Sequence, residues 1–201
     1  MRTLLQTHLT ALRALVVATL VLGLGYTLLI TGAAQALLPA QANGSLVREP
    51  EGRVVGSALI GQSWSDEQGE PLPEWFQSRP SAAGDGYDGG VSSGSNLGPE
   101  NEDLIASIEE RRAAVAAFEG VDPTDVPADA LTASGSGLDP HISPAYAQLQ
   151  VARVAEARGL PEAEVAALVE RRIAGRDLGF LGDPSVNVLE LNLALDELAR
   201  G

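Results

Sequence analysis

The chain has 201 residues, 45% of them apolar but only 4% aromatic, so its core must be built mainly from Val, Leu, Ile and Ala. It contains no cysteine and all thirteen basic residues are arginine, which excludes disulfides, thiolate metal sites, a P-loop lysine, a Ser-x-x-Lys pair and Schiff-base chemistry. From Asn43 onward, 27 acidic residues face eleven arginines, an excess of sixteen negative charges that repels phosphate backbones and excludes nucleic acid as a partner.

Residues 1–13 carry Arg2, His8 and Arg13 and no acid. A charge-free stretch follows from Ala14 to Leu38, ALVVATLVLGLGYTLLITGAAQALL. At 1.5 Å per residue, about twenty such residues cross roughly 30 Å of hydrocarbon, so 14–38 is expected to be one transmembrane helix. Gly23, Gly25 and Gly32 either let another helix approach closely or reflect the ordinary glycine usage of such helices. Ala40-Gln41-Ala42 offers a signal-peptidase site, but the apolar run exceeds the usual 7 to 15 or so residues of a signal, which favours an uncleaved anchor. Arg48 and Arg53 beyond the span nearly balance Arg2 and Arg13. Arg13 and the N-terminal amine tip the flanks towards a cytoplasmic N-terminus and an extracytoplasmic domain over 39–201.

In that domain, GSLV and RVVGSALIGQ predict two short strands or a hairpin. Trp64 to Gly98 lacks periodicity, and a loop this long must wrap against the domain, with Trp64, Trp75, Phe76 and Tyr87 as its anchors. Asn101 caps a helix whose buried face is read as Leu104, Ile105, Ile108 and Val115, with Glu109, Glu110, Arg111 and Arg112 solvated. A short strand is expected at Leu131 to Ala133. Ser143 and Pro144 then start a second helix running to Gly159, and Pro161 a third with Val165, Leu168, Val169 and Ile173 on one face. PSVNVLELNLALDEL reads as a buried strand passing into a last helical turn. Strands at both ends with helices between them give an α+β domain behind the single N-terminal transmembrane helix.

Several chemical patterns occur out of context. Gly84 to Gly89 matches G-x-G-x-x-G, but no strand leads in and no helix begins there. Gly90 to Gly94 matches G-x-S-x-G, with Asp103 or Asp139 and His141 downstream, yet glycine and proline flank Ser92 where a nucleophile elbow needs a strand and a helix. His141 has no second histidine at metal-ligand spacing and reads as a loop hydrogen bonder. No catalytic or metal-binding set is complete. ASGSG ahead of Leu138 reads as a tight turn, with an anion cradle of backbone amides as the alternative.

ANGSL at 42–46, GSALIGQ at 56–62, WFQSRPSAAG at 75–84, SSGSNLGP at 92–99, LTASGSGLDPHISP at 131–144, QVARVAEARGL at 150–160 and VNVLELNLALDEL at 186–198 together resemble the C subunit of the Kdp potassium-transporting ATPase. The resemblance covers nearly the whole chain. It implies a non-catalytic accessory subunit, single-pass in a bacterial or archaeal cell membrane, of a complex that imports potassium with ATP. The partners it implies are the pore-forming A subunit, the phosphorylated B subunit, the small F subunit and membrane lipid. It further implies a role in assembly and as a catalytic chaperone that raises the ATP affinity of the B subunit. No cofactor is implied as firmly bound; ATP enters through the complex, and nucleotide contact by resemblance falls on Ser134, Gly135, Ser136, Gly137 and Gln150. If the domain lies outside, the cytoplasmic ATP site is at least about 30 Å away across the bilayer, and any effect on ATP is allosteric. The alternatives are a direct nucleotide-binding chaperone using Ser134, Ser136 and Gln150, and a membrane-anchored serine hydrolase using Ser92 and His141.

Overall fold

The computed structural model describes residues 2–49 and 51–200; the N-terminal amine and the side chain of Arg2, both counted in the membrane flank, lie outside what it describes. The chain divides into two compact units, Met1–Leu46 and Val47–Gly201.

The first unit is a long apolar helix. Helix α1 (Arg2–Ala18) runs through a π-helical stretch, Thr19–Tyr26, into α2 (Thr27–Leu37). Within it Thr3–Leu37 is long and apolar enough to cross a membrane, with a mean hydropathy of 2.2 and no part buried against the chain. The helix therefore begins well before the charge-free run. Gly23 and Gly25 fall inside the π-helical stretch, where the ladder is widened by one residue per turn. Leu38 leaves helical geometry at φ −136°, ahead of Pro39, which cannot donate to the preceding turn. A single turn, α3 (Pro39–Ala42), follows.

From the boundary residue Leu46 onward, β1 (Leu46–Arg48) and β2 (Val54–Ser57) pair as a two-stranded ribbon, as the sequence predicts. Helix α4 (Glu102–Glu119) is capped by Asn101, whose side chain accepts from the amides of Asp103 and Leu104 at 2.8 and 3.2 Å. Gly120 ends it in the left-handed region at φ 69°. Then come β3 (His141–Ile142), α5 (Pro144–Leu149), α6 (Val151–Arg158), α7 (Glu162–Arg172), β4 (Ile173–Ala174), β5 (Ser185–Asn187) and α8 (Val188–Arg200). The three late strands form an antiparallel sheet in the order β3-β5-β4, with Val186 opposite both Ile142 and Ile173. Val186 is fully buried, and Val154, Val165, Val169, Leu191 and Leu195 from three helices, α6 to α8, join it in one core. The α+β class holds.

Details depart from the sequence reading for physical reasons. Residues 131–133 form no strand; a 3-10 turn at Ala128–Ala130 precedes them, held by the Leu131 amide on Ala128 O at 3.1 Å. The helix after Ser143 is broken at Gln150, which takes φ −83° and ψ −10°. Only three residues at the C-terminal end are strand, and what was read as one turn is the thirteen-residue helix α8. Its apolar positions suit a helix face as well as a strand, and length decides. On α4, Ile105 is half exposed whereas Arg111 is partly buried and donates to Leu131 O at 3.0 Å.

The long segment 64–98 wraps the core as a strap. Trp64 packs tilted against Trp75, ring centroids 4.9 Å apart, and the Arg158 guanidinium lies 4.0 Å from the centre of the Trp75 ring. Phe76 is fully buried, and its backbone is gripped by the side chain of Asn192: Phe76 N donates to Oδ1 at 2.9 Å and Nδ2 donates to Phe76 O at 3.0 Å. Tyr87 donates its hydroxyl to Arg79 O at 2.6 Å, and burial pushes that hydroxyl up to about 12.

Asn192→Leu keeps the volume but leaves the Phe76 amide and carbonyl buried without partners. It is expected to lower stability by about 2–4 kcal/mol in urea melts of the full chain in detergent. A loss below about 1 kcal/mol would show that the strap is held by apolar packing alone.

Candidate functional site

The turn read as a possible anion cradle is built by close backbone packing. Gly137 sits at φ 69°, and a Cβ there would lie 2.5 Å from Ser93 O and 2.7 Å from Ala83 N, so only glycine fits. Gly94 faces Gly135 less tightly, with a would-be Cβ 3.0 Å from its carbonyl oxygen. Ser136 O accepts from Ser93 N at 2.9 Å and from the Ser92 hydroxyl at 3.0 Å. Ser81 donates to Gly137 O at 2.6 Å and accepts from the amides of Ala83 and Tyr87. Leu138 O accepts from Gly61 N at 2.8 Å. Three segments, 61, 81–94 and 132–139, are thereby stitched into one loop cluster.

Arg79 anchors this cluster electrostatically. It donates to Thr132 O from Nε and Nη2 and pairs with Asp139 Oδ2 at 3.0 Å. The other Asp139 oxygen accepts from His141 N at 3.0 Å and lies 3.3 Å from His141 Nδ1. The His141 side chain first, then its amide and Arg79, hold the Asp139 carboxyl below the usual range, against the opposing effect of burial.

Of the five residues that resemblance points to, four lie in this turn. Gly135 and Ser136 are exposed, Ser134 is partly exposed, and Gly137 is buried. The hydroxyls of Ser134 and Ser136 are 3.3 Å apart, and Leu138 N donates to Ser136 Oγ. Gln150 belongs to a different arrangement. It is fully buried, its Oε1 accepting from Gln77 N at 2.6 Å and from Arg153 Nη2 at 2.8 Å, while its Nε2 donates to Gln77 O at 3.2 Å. Arg153 continues the grip by donating to Trp75 O, Pro73 O and Glu119 Oε2, with Phe118 4.4 Å beneath it. Among the described residues no hydrogen bond joins Gln150 to the turn, and its amide is occupied at both ends.

Burial pushes the Glu119 carboxyl up, while Arg153 draws it down; Oε1 has no partner. The other chemical patterns stay apart. Ser92 donates to Ser136 O rather than to His141, whose ring partner is Asp139, and the next helix begins only at Glu102. The G-x-G-x-x-G run is a turn in which Gly84 and Gly86 take φ 55° and 110°. Among the described residues no group of three or more His, Asp or Glu is placed to hold a metal ion. Sequence reasoning missed Gln77, Arg153 and Asn192. The available signal was a polar residue on an apolar helix face: Asn192 lies four residues after Val188 and between Leu191 and Leu195.

Two outcomes follow from this geometry. Gln150→Ala strips partners from both the amide and the carbonyl of partly buried Gln77 and empties the place of a fully buried side chain, so it should lower stability by about 2–4 kcal/mol, whereas Ser136→Ala should cost under about 1 kcal/mol. Equal effects in paired urea melts would contradict the division between clamp and turn. For Asp139 the folded pKa is the lower one, so its contribution is present above the unfolded value near ~3.9 and disappears as pH falls through the folded value. The stability difference between the wild type and Asp139→Asn should therefore be constant around neutrality and shrink below about pH 4, read by melts across pH; a difference that instead grew on acidification would contradict it.

Comparison with known proteins agrees with the distribution of motifs along the chain. Residues 8–197 match the family model described as KdpC, the K+-transporting ATPase c chain. A "Potassium-transporting ATPase KdpC subunit" from Kineococcus radiotolerans is 59% identical over 196 residues, covering 98% of this chain and 96% of that protein. Proteins with the same name from Gemmatimonas aurantiaca and Caulobacter vibrioides are 59% and 56% identical, covering 90% and 89% of this chain and 87% and 86% of their own lengths. With the match running from within the apolar helix into α8, the chain belongs to the KdpC family of potassium-transporting ATPase subunits.

Proposed function

We propose that this chain is the accessory subunit that holds a potassium-importing complex together, its span packed among the membrane helices and its α+β domain docked on the extracytoplasmic side of the pore-forming A subunit. On this reading it raises the ATP affinity of the B subunit without touching the nucleotide. The observation that carries the reading is the closure of Gln150: its amide lies beneath the strap and is occupied by Gln77 and Arg153, so nucleotide contact through it would require the strap to leave. The flanks of the span add to this, because an extracytoplasmic domain is at least about 30 Å from a cytoplasmic ATP site. Coupling over that distance works through a conformational equilibrium of the ATPase. The small F subunit and lipid around the span complete its surroundings.

A second reading is direct nucleotide contact at Ser134–Gly137, favoured by the exposure of Gly135 and Ser136. Such a cradle would have to work without Arg79, which is committed to Thr132 and Asp139.

Protease added to sealed vesicles separates the two. With the extracytoplasmic face outward the domain should be digested; in inverted vesicles it should be protected. Protection in the first and digestion in the second would remove the indirect reading and make ATP photo-crosslinking to Ser136 the next measurement.

A further inference from the structure

Between β4 and β5 the chain makes a short finger, GRDLGFLGD, from Gly175 to Asp183. Asp177 and Leu181 exchange two backbone hydrogen bonds of 2.9 Å, and Phe180 N donates to Asp177 O at 3.2 Å. Leu178 and Gly179 at the tip take φ 53° and 82°, the two positive angles of a type I′ turn. Glycine accepts this; leucine in the left-handed region is strained by about 1–2 kcal/mol. Arg176 and Asp183 close the base with an ion pair of 2.8 Å. The finger is therefore pinned in shape, and what it presents is apolar: Leu178 is 83% exposed, Phe180 68% and Leu181 49%.

A strained turn carrying two fully presented large apolar side chains is unfavourable twice over in the isolated chain. An occupant that buries the tip accounts for both features at once. Three occupants are conceivable, and charge decides among them. An anionic lipid surface is opposed by a domain with sixteen excess negative charges, and the one arginine of the finger is already paired with Asp183. A second copy of the chain brings the same sixteen charges. The chain belongs to a family of ATPase subunits, and a neighbouring subunit of that complex is the occupant left once charge has told against the other two.

We propose that the Leu178–Phe180–Leu181 tip is a rigid plug that inserts into an apolar socket on another subunit of the potassium-transporting complex. This deepens the assembly reading and rests on it. The plug keeps its conformation on docking, so little ordering entropy opposes binding, and the two leading side chains act as the anchors.

The absence of cysteine in this chain makes the test direct. Phe180→Cys provides a single thiol whose maleimide labelling can be followed on this chain alone. The rate should be the same for the isolated chain in detergent and in lipid vesicles, and at least tenfold slower within the purified complex. Equal rates in all three settings would overturn the plug. Slowing in vesicles alone would assign the tip to lipid, and slowing that grows with the concentration of the isolated chain would assign it to a second copy; either result overturns the proposal. The double variant Leu178→Asn with Phe180→Ser tests the energetics, because Asn tolerates the left-handed conformation and spares the fold. Its melting temperature as an isolated chain should equal or exceed that of the wild type, while its dissociation from the complex should be at least tenfold faster. Unchanged dissociation of this double variant would overturn the plug alone; failure of the unaltered chain to be retained by the complex would instead overturn the assembly reading, and the plug with it.

Discussion

The fold rests on a pair of buried side-chain amides that do the work of a missing strand. Segment 64–98 has no helix and no regular sheet, yet Phe76 at its centre is fully buried. Buried backbone donors and acceptors must be paired, and here Asn192 pairs both groups of Phe76 while Gln150 pairs both groups of Gln77. Consecutive residues of an extended segment point their backbone groups in opposite directions. One amide from α8 and one from the junction of α5 and α6 therefore grip the strap from two elements. The break at Gln150 belongs to the same design, since a residue at the end of one helix and the start of the next is freed from the regular face pattern.

Arg153 makes the grip cooperative. Its guanidinium joins Gln150, the strap carbonyls and Glu119 in one network, with Glu119 Oε2 only 2.9 Å away. An arginine suits this position because its planar fork supplies several donors in fixed directions and stays charged when buried. The cost is visible in Glu119, whose second oxygen is unpaired and whose carboxyl is pushed up by burial. A network with one unsatisfied atom is held in place by what surrounds it, here the strap and the cation–π contact with Phe118.

How much of this could be read from sequence depends on whether a feature is local. Asn101, Ser143 and Gly159 were legible as caps because capping is a contact within three or four residues. The helix long and apolar enough to cross a membrane was legible from length and hydropathy, although the chain extends it upstream into a stretch carrying Thr3, Thr7 and Thr10. The three-stranded sheet was not legible in detail, because strands of two or three residues are too short to show a period and are fixed by partners far away in the chain. The same holds for Arg111, whose place in a run of four charged residues looks solvated until the carbonyl of Leu131 arrives beneath it. At the candidate site the glycine-serine turn was recognisable as a turn. That its glycines answer to Ser93, Ala83 and Gly94 was not, since those contacts join segments far apart in the chain.

On the proposed reading, the division between clamp and turn also constrains how such a subunit acts at a distance. A domain shifts the equilibrium of a partner only by binding its two states with different free energies. The loop cluster around Gly137 and the clamp around Gln150 are closed by internal hydrogen bonds, so the domain is built to move as a body rather than to change shape within itself. Differential binding must then arise at its outer surface, where rigid projections meet a partner that itself changes conformation. A pinned apolar finger is suited to that role: if its socket changes shape between states of the transporter, the full burial of the tip is available in only one of them, and that difference alone biases the cycle.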